Sequence, residues 1–275
     1  MPPAGGAEPQ AMLKDILQAR GLLWMLVKRE FRARYAGAHL GALWNIIHPI
    51  VLIGIYVVIF SQVMGARMGA EGTGRFAYAV HLCSAIVPWL LFAEVISRSS
   101  SVLVENSSLL KKLALPEEIL FLGVFITSMT VYSIGMGALI LFLLAFGADL
   151  GWTVIFAFPI MLMLGLTAVG AGMFLSVLTL LIRDVGQFVQ IALQLLFWSL
   201  PIVWVPSIIE SDRINAVLEL NPLRGFITLT QWLFGSPEAR FTPDAYWLMV
   251  LLPFAAGVLG IYFLRRNRGE ILDSL

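Results

Sequence analysis

Charge, histidine and cysteine are all scarce in this sequence. Its 275 residues include 18 Lys and Arg and 17 Asp and Glu, so 13% of the chain is charged while 59% is hydrophobic. A soluble domain ordinarily carries about 25% charged residues. So few charges, clustered as they are, cannot clothe a large core in polar surface. Lipid is therefore the solvent for most of the exterior, and one membrane domain is the economical reading. The formal net charge of +1 provides no field for nucleic acid, and no long basic run stands apart from the hydrophobic stretches. Cys83 is the single cysteine, which excludes an intrachain disulfide or cysteine cluster; within an apolar stretch it suits a small packing residue. His39, His48 and His81 lack metal-ligand spacing, and no Ser/His/Asp set is recognisable, so neither metal nor nucleophilic catalysis is indicated. A glycine-rich phosphate loop ending in Gly-Lys-Ser or Gly-Lys-Thr is also missing. Any ATP-driven process needs its nucleotide site on another polypeptide.

What the chain does have is long apolar stretches. Read for segments of about 20 residues, they place helices near 41–64, 76–103, 119–147, 152–181, 186–208 and 245–264. The expected fold is an all-α polytopic membrane protein of about six transmembrane helices. Two of the stretches exceed the bilayer thickness, which implies tilt, kinks at Pro88 or Pro159, or continuation into the cytoplasm. The third and fourth are separated only by the tight turn Gly147-Ala148-Asp149-Leu150-Gly151, and a buried hairpin would read similarly. The first ten residues are rich in Pro, Gly and Ala and lack an apolar core, a pattern not expected of a cleavable signal peptide. Thirteen Lys and Arg fall on the side of both termini and five on the other, so both termini are expected in the cytoplasm. The organisation that follows is a cytoplasmic arm (1–40), a six-helix transmembrane domain (41–264) and a cytoplasmic tail (265–275). No internal repeat is visible, which weighs against an inverted-repeat secondary transporter.

Three segments carry more than hydrophobicity. Residues 12–35 place Leu13, Ile16, Leu17, Leu23, Trp24, Val27, Phe31 and Tyr35 at helical spacing, with Lys28, Arg29, Arg32 and Arg34 crowded at the C-terminal end. This spacing predicts an amphipathic interfacial helix on the inner leaflet, its basic residues toward anionic headgroups; an ordinary topogenic basic flank is the alternative. Residues 106–118 combine an Asn/Ser cap, one or two helical turns and a proline, with Pro116 in the first turn of the next helix and Glu117 and Glu118 at its positive end. Such a short helix is a docking element or only a connector. Residues 206–244 keep half-length apolar runs such as Ile227 to Phe234 between Asn221-Pro222, Gly235 and Pro237, predicting short re-entrant or interfacial helices on the outer side before the last span. Glu94, the most interior acidic residue, is a functional candidate by its depth. Arg98, four residues on, makes a helical ion pair the preferred reading. Arg183 and Asp184 fall at a cytoplasmic turn.

With these residues in place, the chain resembles the membrane subunits of ABC exporters for lipid-linked polysaccharides, the O-antigen, capsule and teichoic-acid permeases. The resemblance rests on Lys28-Arg29-Glu30-Phe31-Arg32-Ala33-Arg34-Tyr35 followed by Leu40-Gly41-Ala42-Leu43-Trp44 and Pro49, and on Asn106 through Glu118. Arg183-Asp184-Val185, Ser199-Leu200-Pro201-Ile202 and Asn221-Pro222-Leu223 complete it, in an order and spacing that run over nearly the whole chain. It implies a homodimer of six-helix subunits on two copies of a cytoplasmic ATPase, exporting an undecaprenyl-linked glycan across the bacterial inner membrane. The chain itself would then be a transport subunit and no enzyme, with no cofactor of its own; ATP and Mg would sit on the partner. Asn106, Leu109, Lys111, Lys112 and Leu113 would dock the ATPase. Trp24, Lys28, Arg29, Arg32 and Arg34 would hold the interfacial helix against membrane lipids. Trp89, Phe92, Trp198 and Trp204 are candidates for a glycan path, since sugar faces stack on aromatic rings, although interfacial or packing roles suit the same residues.

Two other functions compete. One has the same architecture with a drug or small lipid as substrate. The other is a membrane-embedded transferase, which would need Glu94, His81 and Asp184 to meet in space.

Overall fold

The computed structural model describes residues 20–34, 77–112, 116–145, 147, 148, 150–209, 211–237, 239, 246–269 and 271, with isolated positions at 43, 47, 51, 54 and 55. The expected first span at 41–64, isolated positions aside, lies outside the described residues, as do residues 12–19 of the interfacial segment and Leu113. Among the described residues every element is helical. In chain order they are α1 (Arg20–Arg34), α2 (Ala77–Glu105), α3 (Ser107–Lys112), α4 (Glu118–Ala145), a 3-10 turn (Trp152–Phe156), α5 (Ala157–Leu181) and α6 (Val185–Ser199). A second 3-10 turn (Pro206–Ile208), α7 (Asp212–Glu219), α8 (Arg224–Leu233) and α9 (Tyr246–Arg266) complete them.

Four segments are long and apolar enough to cross a bilayer: Val80–Glu105, Glu118–Ala145, Trp152–Leu181 and Trp247–Arg266. The expected fifth span differs. Its helix has 15 residues and stops at Ser199, because Pro201 favours an extended Leu200 (φ −99°, ψ 143°) and cannot continue the hydrogen-bond ladder. The irregular stretch that follows is buried at Leu200, Ile202 and Val205. The Pro201 carbonyl accepts a 2.7 Å hydrogen bond from Gln231 Nε2 on α8. Non-helical backbone at this depth is tolerated where protein supplies such partners. Pro88 lies inside the continuous α2. Pro159 falls in the first turn of α5, after the 3-10 turn, where a missing N–H costs little; it starts the helix instead of kinking it.

The core is built around α5, which packs most extensively on α9 and α2. Small residues set the first of these contacts. A Cβ on Gly260 would collide with the Gly170 carbonyl, and one on Gly170 with the backbone of Ala256, so α5 and α9 meet backbone to backbone. α4 leans on α2, and α1 lies against α4 through Leu26, with Val27 also buried while Trp24 and Met25 face outward. Lys28 Nζ sits 5.5 Å from the centre of the Trp24 ring. An exposed aromatic paired with a basic residue suits a headgroup surface. α8 packs against α2 and α5 through Phe226, Ile227 and Thr230. It ends at Gly235 (φ 76°), where the amides of Gly235 and Ser236 bond back to the carbonyls of Trp232 and Gln231.

Candidate functional site

A polar cluster interrupts the apolar packing where α1, α2 and α4 converge. Both carboxylate oxygens of Glu94 are occupied: Ser128 Oγ donates to Oε1 at 2.9 Å, and the Tyr132 hydroxyl donates to Oε2 at 2.9 Å. Arg98 Nη1 lies 3.5 Å from Glu94 Oε1, and its Nη2 pairs with Glu30 of α1. Glu94 lies about 16 Å from the Glu105 end of α2 at 1.5 Å per residue. A charged side chain at that depth is costly without partners, and here one guanidinium is held between carboxylates from two helices while two hydroxyls complete the shell. Nearby, Gln190 Nε2 of α6 donates to Ser97 Oγ at 2.8 Å. The expected Glu94–Arg98 pair is thus part of a cluster that fixes the register of three helices.

Next to this cluster stands the short helix α3. Asn106 is the joint between α2 and α3. Its carbonyl accepts the amides of Leu109 and Leu110 at 3.0 Å, and its side-chain Nδ2 returns to the Val102 carbonyl at 2.9 Å. Its Oδ1 accepts from Arg29 Nη2 of α1 at 2.8 Å. The expected cap is therefore made by the Asn106 backbone, while its side chain ties α1 to α2. Leu110 is buried, Leu109 packs on the core from a half-buried position, and Ser108 and Lys111 are exposed. The side chains of Lys112 and Arg34 lie outside the described residues; Arg29 and Arg32 are exposed. Pro116 sits two residues before α4 instead of in its first turn, its carbonyl accepting the Ile119 amide at 3.2 Å. Glu117 and Glu118 at this entrance face the end of α9: Arg268 Nε donates to Glu117 Oε1 at 3.0 Å, and Arg265 Nε is 3.7 Å from Glu118 Oε1.

The opposite end of α2 carries a second buried cluster. His81 Nδ1 is 3.0 Å from Ser236 Oγ and its Nε2 is 3.2 Å from Gln231 Nε2, so α8 and the broken end of α6 are tied to α2 at one point. His81 and Glu94 are thirteen residues apart on one helix, or about 20 Å, and Asp184 is exposed in the turn before α6. The three do not converge. Among the described residues no group of three His, Cys, Asp or Glu could hold a metal.

The four aromatic candidates fall on one string. Trp89 contacts Phe92 at 5.9 Å and Phe197 at 5.7 Å between ring centres, Phe197 meets Trp198 at 5.3 Å, and Trp204 Nε1 donates to the Trp198 carbonyl at 3.0 Å. Trp89 and Phe92 are buried within the subunit while Trp198 is 58% exposed. The site residues expected from sequence do not include Phe197, the link, nor Ser128, Tyr132, Arg265 and Arg268, and Glu30 stands there only as part of the basic motif. Ser128 and Tyr132 did leave a signal, two polar residues one turn apart in an apolar helix. The others depend on pairings 68, 108 and about 150 residues apart, which local pattern does not encode.

Comparison with known proteins adds a frame to this geometry. The family model described as ABC-2 type transporter matches residues 21–235. An O-antigen export system permease protein, RfbA, of Myxococcus xanthus is 28% identical over 241 residues, covering 87% of this chain and 89% of that protein. A protein of the same name from Klebsiella pneumoniae is 24% identical over 234 residues, covering 84% and 87%.

Proposed function

Since the chain belongs to the ABC-2 type transporter family of membrane proteins, we propose that it is the membrane subunit of an exporter that moves an undecaprenyl-linked polysaccharide across the bacterial inner membrane. The observation that carries this reading is the likeness over nearly the full length of both chains to O-antigen export permeases of two bacteria. In this reading two copies form the membrane unit, and two copies of a separate ATPase, holding ATP and Mg, drive it from the cytoplasm. The α3 end of the bundle, with both termini, faces that ATPase; the His81 and α8 end faces outward.

The geometry supports a mechanical role. α3 presents Ser108 and Lys111 to solvent while Leu110 seats it on the bundle, and Asn106 links it to α1. ATP binding closes the partner dimer, α3 moves, and the tied helices follow, opening a path for the lipid-linked glycan. The transferase alternative loses support, because its three candidate groups stand apart.

The test is co-purification followed by ligand comparison. The chain should bring down a stoichiometric ATPase whose hydrolysis depends on the complex and is stimulated by an undecaprenyl-linked glycan. Stimulation by hydrophobic drugs and not by the glycan would replace the substrate, and purification alone in an active state would end the transport reading.

A further inference from the structure

We propose that α9 is a second arm of the docking lever: Arg265 in its last turn and Arg268 just past its end grip Glu118 and Glu117 at the entrance of α4, so a displacement of α3 reaches α9 as well as α1. The proposal rests on the reading of α3 as the ATPase docking element.

The segment around α3 is tied on two sides. On its N-terminal side, Arg29 holds Asn106 and Glu30 holds Arg98, which joins it to α1. On its C-terminal side, the Glu117 side chain is only 6% exposed, yet it is met by an arginine 151 residues away whose own side chain is 57% exposed. A carboxylate that has left water needs its counter-charge. Arg268 therefore does more at this place than an exposed basic tail residue would. Arg265, one turn earlier, stands over Glu118, itself 10% exposed. Arg266 turns away and bonds the Tyr262 hydroxyl at 2.8 Å, so the grip belongs to Arg265 in the last turn of α9 and to Arg268 two residues past its end.

Two features make α9 able to carry the motion. Its backbone is in direct contact with that of α5 at Gly170 and Gly260, so the two helices cannot slide freely past each other. α5 in turn packs along α2, the helix that leads into α3. A pull entering at Glu117 thus reaches α9 at its end and returns to the bundle through α5, separately from the route through Asn106.

The experiment uses the chain assembled with its ATPase in proteoliposomes, measuring ATP hydrolysis and movement of an undecaprenyl-linked glycan. Arg268→Ala should leave the ATPase bound and hydrolysis nearly unchanged, while glycan moved per ATP falls about fivefold or more, the range of a real coupling energy. Glu117→Arg should uncouple as well, and the reciprocal pair Glu117→Arg with Arg268→Glu should recover coupling. A merely structural contact would lower hydrolysis and transport together, with loss of assembled complex. Should Glu117→Arg fail to assemble, Arg268→Glu, at a largely exposed side chain, carries the test. Coupling at the unmodified level in Arg268→Ala and Arg268→Glu, or equal loss of both rates, overturns the proposal. Ser108→Trp separates the premise: if the ATPase stays bound to that variant, α3 is not the docking element and the premise has failed, whereas release by Ser108→Trp with full coupling in the Arg268 variants rejects the α9 arm alone.

Discussion

Tyr132 on α4 donates its hydroxyl to Glu94 on α2 at 2.9 Å, one turn beyond Ser128, which takes the other carboxylate oxygen. Two helices in an apolar medium gain no hydrophobic driving force from each other, so such polar contacts and close packing set their register. Glu94→Leu removes the acceptor for both hydroxyls and one carboxylate beside Arg98, with an expected cost of about 1–3 kcal/mol. Glu94→Gln keeps an acceptor and should cost less. Thermal unfolding of the purified variants in detergent measures both; equal stability of Glu94→Leu and the unmodified protein would show that the cluster does not hold α2 to α4.

The α5–α9 contact gives a sharper contrast. Gly260→Ala places a methyl against the Gly170 carbonyl and the Met173 side chain, and overpacking of this kind typically costs about 1–3 kcal/mol, more where backbone must move. Gly257→Ala, one turn earlier on α9, meets nothing within 4 Å and should change stability by no more than about 0.5 kcal/mol. The yield of folded monodisperse protein should fall for the first substitution alone.

The helices α2, α4, α5 and α9 were legible because twenty or more apolar residues leave few alternatives. Their ends followed from Glu118 and from the Gly147 turn to within a few residues. The fifth helix is shorter than its apolar run: residues 200–208 are mostly apolar, yet Pro201 breaks the ladder after Ser199, and the rescue of its carbonyl by Gln231 depends on a residue 30 positions away. Asn106 is legible from local punctuation only as a cap; that it is the joint between two helices comes from its backbone and side-chain bonds. Its bond to Arg29, and the pairing of Glu117 with Arg268, come from helix packing, and no periodicity in the chain announces them. The aromatic candidates lie far apart in sequence, and only the packing of α6 on α2, through Phe197, makes them contiguous.

If α3 docks the ATPase, its exposed positions should matter in proportion to the surface they contribute. Lys111→Ala removes one exposed charge, and such contacts are worth about 0–1 kcal/mol, so association should weaken no more than about fivefold. Ser108→Trp leaves the subunit's own packing untouched but inserts a large ring where the partner must approach. Pull-down of the ATPase should then fail while insertion of the chain in the membrane is normal. Full association of Ser108→Trp would move the interface away from α3.

Trp89 and Trp198 separate packing from transport. Trp89 is buried against Phe92 and Phe197, so Trp89→Ala should open a cavity costing about 3–5 kcal/mol and lower the amount of folded protein. Trp198, 58% exposed at the end of α6, has little packing to lose. If it stacks on passing sugar rings, each stacked pair contributing about 0.5–1.5 kcal/mol, Trp198→Ala should slow glycan export several-fold in a protein of unchanged stability. Trp198→Phe, which keeps a ring face, should recover part of that rate. The measurement pairs export from proteoliposomes with thermal unfolding of the same preparations. Export at the unmodified rate in Trp198→Ala would assign this tryptophan to the lipid interface, where exposed indoles are equally at home, and would leave the aromatic string as packing between α2 and α6.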